Sequence, residues 1–278
     1  MLSPDAVEGL LAELGVSVAD SFGVTHKDTP APNRFFEPIE GKREIWGSIG
    51  DDTALRVHRD DIVLDLGSGR SELDVPLAEE VRLVVGLDIN VPHLLLAKDN
   101  VIRDFEVDNV VLFHGGLAGG SHQPEIRFTD GCFDAVFCHL GVGKEEVFLL
   151  MPEIARILKP GRQWLFAYPR VWFRGDWQPN ELEERVLRYA HEQHPHWRQR
   201  SEEEFLEAAA SVGFEPDGGK VMIRGSVERP LGTNQAMFDL DSLDLFLSRE
   251  KERRALWAEY QLNDANLPVA CFVLRKTA

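Results

Sequence analysis

The chain has 278 residues, 44% of them hydrophobic, which is enough for one substantial core with additions, spread over about one to two domains. Its 47 acidic residues against 30 Lys and Arg leave a net charge of −17, and no basic cluster stands out, so a phosphate backbone would be repelled and nucleic acid is disfavoured as substrate. No apolar run reaches the roughly twenty residues of a membrane span, and MLSPDAVEGLLAELG lacks the basic start and long apolar centre of a secretion signal, so no membrane contact and a cytoplasmic location are expected.

Val7, Leu10, Leu11 and Leu14 recur at helical spacing behind Ser3, a cap residue, which predicts a first amphipathic helix. A polar connection from Ser21 to Asn33 leads to RFFEPIEGKREIWGSIG, aromatic and punctuated by glycine; residues 1–50 are read as a helical cover for a main unit over 51–278. Ile62 to Leu66 is a short apolar run bounded by charge and by Gly67, the pattern of a buried parallel strand. Gly67 and Gly69 form a tight turn. Leu73, Leu77 and Val81 then follow at helical spacing, with Pro76 delaying the regular start, and Leu83 to Leu87 is a second strand closed by Asp88. Strand, glycine turn, helix, strand and acid make one right-handed βαβ unit.

Glycines let a backbone approach a bound molecule closely, and the helix start after them offers N–H groups. Asp88, about twenty residues further on, is placed to accept both hydroxyls of a ribose. A dinucleotide site would carry G-x-G-x-x-G, but Glu72 occupies the third glycine position, an anion close to where a pyrophosphate would lie. The pattern therefore points to a nucleoside and away from NAD.

VLDLGSGR and VVGLDIN resemble the first two motifs of the class I S-adenosylmethionine-dependent methyltransferases. Three later stretches follow in that family's order: FDAVFCH (133–139) is similar to its fourth strand, ILKPG (157–161) to the turn before its fifth, and FLEAAASVGF (205–214) to its late helix. The resemblance runs from about Asp61 to Ile223, with Pro268 to Arg275 as a last strand. It implies a doubly wound α/β fold with a mostly parallel seven-stranded sheet. It also implies S-adenosylmethionine as cofactor, held by Asp65, Gly67, Gly69 and Asp88, with Asn90 beside the ribose. In that family the segment before the first strand often folds over the cofactor, which would make Phe35, Phe36 and Trp46 cover residues; packing on the sheet as core is the alternative.

Pro92 to Arg103 reads as a helix and Val110 to Phe113 as the third strand. Family members often carry an acid just after that strand to receive the adenine amino group. Here His114-Gly115-Gly116-Leu117 stands there, which leaves the adenine to backbone groups, to Asn90 or to an acid elsewhere. The fourth strand ends at His139, a position that the resemblance sets near the methyl group. An imidazole with a pKa near 6.5 suits proton removal from a hydroxyl or ammonium, so His139 is the candidate base; a hydrogen-bonded structural histidine is the alternative.

Lys144 to Leu158 is expected as a helix stopped by Lys159-Pro160-Gly161, with Gln163 to Tyr168 as the fifth strand. YPRVWFRGDW (168–177) then gathers four aromatics and two arginines. It reads either as pocket lining, with Tyr168, Arg170 and Trp172 touching substrate and Arg170 or Arg174 pairing a carboxylate, or as a loop covering a helix.

His191, His194 and His196 read as a solvated helix end in preference to a metal cluster, because Pro195 breaks the helix before His196 and no acid or cysteine ligand is evidently paired with them. No metal is expected. Cys132, Cys138 and Cys271 lack C-x-x-C spacing and read as small buried hydrophobes. Ser201 to Glu204 is a capping box opening a helix through Ala210, Gly219 to Arg224 begins the next strand, and a helical insertion of about 226–267 precedes the last one, as a lid or an interaction surface.

The expected function is methyl transfer from S-adenosylmethionine to an oxygen or nitrogen of a small molecule. A protein or RNA methyltransferase is disfavoured by acidity and by the lack of an Asn-Pro-Pro-Tyr-like sequence after the fourth strand. A cofactor-binding protein with a regulatory or non-methyltransfer role stays open, on the missing acid after the third strand; so does a homodimer.

Overall fold

A computed structural model describes residues 3–25, 27, 39–71, 73–99, 107–115, 126–143, 145–193, 199–223, 255–256, 258–260 and 268–277, and the statements below concern those. The first helix, α1, runs Pro4–Glu13, and Ser3 caps it by accepting from the Ala6 N–H at 3.2 Å. A one-turn α2 (Phe22–Thr25) and a longer α3 (Ile39–Asp52) follow.

The βαβ unit forms where the apolar runs predict it: β1 (Ile62–Leu66), α4 (Asp74–Ala78) and β2 (Leu83–Asp88). Every residue of β1 and β2 is buried, because helices cover both faces of a parallel sheet. Then come α5 (Val91–Leu96), β3 (Val110–His114), β4 (Phe133–His139), α6 (Glu146–Ile157) and β5 (Leu158–Pro169). The chain continues through β6 (Phe173–Arg174), α7 (Glu181–Gln193), β7 (Arg200–Ser201), α8 (Glu202–Ser211), β8 (Phe214–Pro216), β9 (Val221–Ile223) and β10 (Val269–Lys276).

Across the sheet the order is β3-β2-β1-β4-β5-β10-β8, with β9 also paired to β10. The pairings from β3 to β5 are parallel, and β10 runs antiparallel to β5, β8 and β9. Seven positions across the sheet match the expectation. The outer one holds two short strands: β8 meets Leu274 to Lys276, and β9 meets Val269 to Cys271. Between them Gly218 adopts φ +90°, a left-handed residue that breaks the edge.

Boundaries depart from expectation at α6, which ends at Ile157 so that Lys159-Pro160-Gly161 lies inside β5. Strand geometry continues there because Leu158 pairs with Phe133 across a bulge, and Gly161 takes φ +75°. The α5 helix ends at Leu96; the expected continuation over 100–103 lies outside the described residues, as do Phe35, Phe36 and most of the 226–267 insertion.

Leu10, Leu11, Leu14, Ile45, Trp46 and Ile49 belong to the same core as the strands, so the N-terminal helices are built into the main core. Trp46 packs on Phe137 of β4 at 5.2 Å between ring centroids and donates its indole N–H to Glu80, which is the core alternative for this residue. At the amino edge of the sheet, Asp61 and Asp134 are held by Arg162, and Asp134 also by Lys159.

Candidate functional site

The carboxyl edges of β1, β2 and β4 bring the predicted residues together. Register sets Asp65 beside Gly86 of β2 and Phe137 of β4, so the turn after β1 lies between Asp88 and His139. Gly67 (φ +79°) and Gly69 (φ +58°) hold left-handed conformations that glycine adopts without strain. The Gly67 N–H donates to the Leu87 carbonyl at 2.7 Å, and the Gly69 N–H to Oδ2 of Asp88 at 2.7 Å.

Asp88, buried, accepts through its other oxygen from the Asn90 N–H at 2.7 Å. Each carboxylate oxygen has more than one acceptor position, so a single backbone N–H does not exhaust it. The fixed carboxylate suits a vicinal diol. The turn's N–H groups at Gly67, Ser68, Gly69 and Ser71 are all taken by protein acceptors, so the donors foreseen at the helix start are spent on shaping the turn. A pyrophosphate would find few donors and two or three acids here; a nucleoside bearing positive charge fits better.

Asn90 uses its side-chain oxygen to cap α5, accepting from the His93 N–H at 3.1 Å. Asp65 is buried, and desolvation, with the Asp88 charge adding to it, pushes its carboxyl up to about 6. His139 closes β4 half-buried, paired in register with Ala167 of β5. Leu140 after it takes φ +59°, and Gly141 then meets Gly67 backbone to backbone: a Cβ on Gly67 would lie 2.5 Å from the Gly141 carbonyl, and one on Gly141 2.2 Å from the Gly67 oxygen.

Gly141, Ser71 and Asp74 escaped the sequence reading. Gly141 and Gly143, two and four residues after the fourth strand, were a usable signal for a second close turn; so was Asp74, an acid between apolar Leu73 and Val75.

The three residues expected to touch substrate fare differently. Tyr168 is 0% exposed, stacked on Phe166 and Phe272, with its hydroxyl donating to Glu202 at 3.2 Å; these contacts account for it without a ligand. Arg170 forms a two-pronged pair with fully buried Glu183 at the start of α7 and lies over the Trp177 ring, so its charge is already answered inside the protein. Trp172 is buried, and its indole N–H has no acceptor among the described residues. All three cysteines are buried, and burial pushes the Cys132 thiol up to about 11 and that of Cys271 to about 12.

Residues 63–161 match the methyltransferase domain family. A search of curated proteins found no match. Among solved structures, a candidate methyltransferase of Bacillus halodurans is 17% identical, with a TM-score of 0.52 over 84% of this chain and 99% of its own. A chain from the complex of a candidate methyltransferase with the Trm112 methyltransferase activator of Haloferax volcanii is 18% identical, with a TM-score of 0.53 over 86% of this chain and 91% of its own. The geranyl diphosphate C-methyltransferase of Streptomyces coelicolor, crystallised with S-adenosyl-L-homocysteine, is 15% identical, with a TM-score of 0.50 over 86% of this chain and 78% of its own. At these identities the likeness is one of fold.

Proposed function

We propose that this chain, whose residues 63–161 match the methyltransferase domain family, binds S-adenosylmethionine at the carboxyl edge of β1, β2 and β4 and transfers its methyl group to an oxygen or nitrogen of a small molecule. The observation that supports this most is Asp88, a buried carboxylate locked by two backbone N–H groups beside the Gly67–Gly141 contact. Asp88 receives the ribose hydroxyls, Asp65 lies beneath the glycine turn, and the side-chain-free backbones of Gly67 and Gly141 line the approach. Asn90 contributes by fixing the start of α5 beside Asp88.

The cofactor, when bound, supplies a methyl group on a sulfonium that is already a good leaving group. The protein's share is alignment and proton removal. His139, two residues before Gly141, is the group that takes the proton from the acceptor. Of the three residues expected to touch substrate, Trp172 is the acceptor contact: its indole N–H, unlike the polar groups of Tyr168 and Arg170, has no hydrogen-bond partner among the described residues. Acidity of the whole chain, −17, supports a small acceptor over a nucleic acid.

Calorimetric titration with S-adenosylmethionine and S-adenosylhomocysteine, on the wild type and Asp88→Ala, tests the assignment. Binding of both ligands to the wild type, weakened at least roughly a hundredfold in the variant, is expected from the loss of charge-assisted hydrogen bonds. Absence of binding to the wild type overturns the cofactor assignment.

A further inference from the structure

Beneath the glycine turn lies a second carboxyl. Gly86 is the register partner of Asp65, and a Cβ on Gly86 would stand 2.8 Å from the apolar Leu112 side chain, 3.1 Å from Oγ of Ser68 and 3.2 Å from Oδ2 of Asp74. The missing side chain therefore opens the space into which Asp74 and Ser68 reach. Asp74 and Ser71 are 0% exposed and Asp65 is 4% exposed. Neither oxygen of Asp74 and neither hydroxyl of Ser68 or Ser71 makes a well-formed hydrogen bond among the described residues, and the Ser71 hydroxyl eases the Asp74 charge less than burial opposes it. A charged acid in such a setting would be very costly.

The groups around it make the cost worse. Asp65 on β1 and Asp88 on β2 are acids, and Cys138 on β4 is a buried thiol; from α3, Arg43 is engaged by Glu79 and Trp46 by Glu80. His114 on β3 is exposed and bonded to the Ile89 carbonyl, and Arg70 lies on the turn itself. We propose that Asp74 is a positioning residue: it retains its proton and donates it to Asp65, so that the two carboxyls share one negative charge under the cofactor. One proton kept on Asp74 converts an acceptor without a donor into a donor, and fixes the Asp65 carboxylate in place. Burial raises both carboxyls, and each raises the other or leans on it through the shared hydrogen bond, as two like acids in one dry site must.

Two consequences follow. A folded pKa above the unfolded one means that the native chain holds the proton more tightly, so this pair's contribution to stability is fully present below about pH 4 and is lost as pH rises through the folded values. Secondly, and resting on the cofactor assignment above, a ligand that brings positive charge to the turn favours the ionised pair and releases part of the proton on binding.

The test compares the full-length wild type with Asp74→Asn, whose amide donates to Asp65 without titrating, and with Asp65→Asn, which removes the other carboxyl. Thermal midpoints without ligand are measured from pH 5 to pH 9. S-adenosylmethionine binding is measured by calorimetry in buffers of different ionisation enthalpy. The wild-type midpoint is expected to fall more steeply with pH than that of either variant, and its proton release on binding to exceed that of Asp74→Asn. Asp74→Asn should keep affinity within roughly threefold, whereas Asp74→Leu, with no donor, should lose roughly tenfold. Parallel pH profiles for wild type and both Asn variants overturn the proposal. If no protein binds the cofactor but the profiles diverge, the shared proton stands and only the cofactor assignment fails.

Discussion

Gly67→Ala tests whether two turns meet as tightly as the structure has them. At φ +79° an alanine is left-handed, which costs about 1–2 kcal/mol. Its Cβ would also lie 2.5 Å from the carbonyl of Gly141, a backbone group that cannot swing away as a side-chain tip would. Overpacking of that kind costs about 1–3 kcal/mol, so the total loss is about 2–5 kcal/mol. Gly131→Ala provides the control, since Gly131 has φ +58° with nothing within 4 Å of its built Cβ and should show the conformational cost alone. Urea denaturation of both variants isolates the contact as their difference, about 1–3 kcal/mol. Gly67→Ala should also lose S-adenosylhomocysteine affinity, because relieving the clash parts the turns on which the ligand rests. Equal stability of the two variants, with ligand affinity unchanged, would refute the close approach as a property of the site.

The remaining predictions concern strain and charge near the same edge. Ser71 holds φ +56° with a buried hydroxyl that makes no well-formed hydrogen bond among the described residues and acts only weakly on Asp74, so Ser71→Gly relieves about 1–2 kcal/mol of strain against about 1 kcal/mol of added chain entropy. A thermal midpoint equal to or slightly above that of the wild type is expected, and a clear drop would show that the hydroxyl has an unseen role. Arg170→Ala leaves fully buried Glu183 with the Asn180 N–H but no cation, a loss of about 3 kcal/mol at the low end for broken buried pairs, since Arg170 itself is 20% exposed. Arg170→Lys should recover only part of it, because an ammonium cannot reproduce the two-pronged geometry. Unchanged denaturation with selective loss of acceptor binding would instead return Arg170 to the substrate side.

What could be read from the sequence divides along a physical line. The strands, Asp88 and the glycine turn were legible because each is a local signal: a buried apolar run, a break that only glycine accommodates, an acid at a strand end. The fate of Tyr168 and Arg170 was not, because it depends on Phe272 and Glu183, residues 104 and 13 positions away that approach only through sheet order and helix docking. An aromatic and basic segment at a strand end has one composition whether it faces a ligand or a core. The turn at Gly141 was legible from its glycines, but its contact with Gly67 was hidden for the same reason, since a glycine's purpose lies in what approaches it.

Asp74 carries the argument one step further. Its burial depends on Gly86 of β2, whose missing side chain leaves room for Asp74; the apolar neighbours Leu73 and Val75 hint at burial, but the partner that permits it lies on a strand twelve residues away. The same juxtaposition gives the site its electrostatic character. Backbone donors of the turn are spent on Leu87 and Asp88, while carboxyls gather below, an arrangement that favours the positively charged cofactor proposed above over a phosphate. That preference does not reside in any one motif residue. It arises from which hydrogen bonds the turn has already made before a ligand arrives, and so the discriminating experiments are those that remove a titrating proton or a charge at fixed shape, as Asp74→Asn and Asp65→Asn do, and not those that merely truncate.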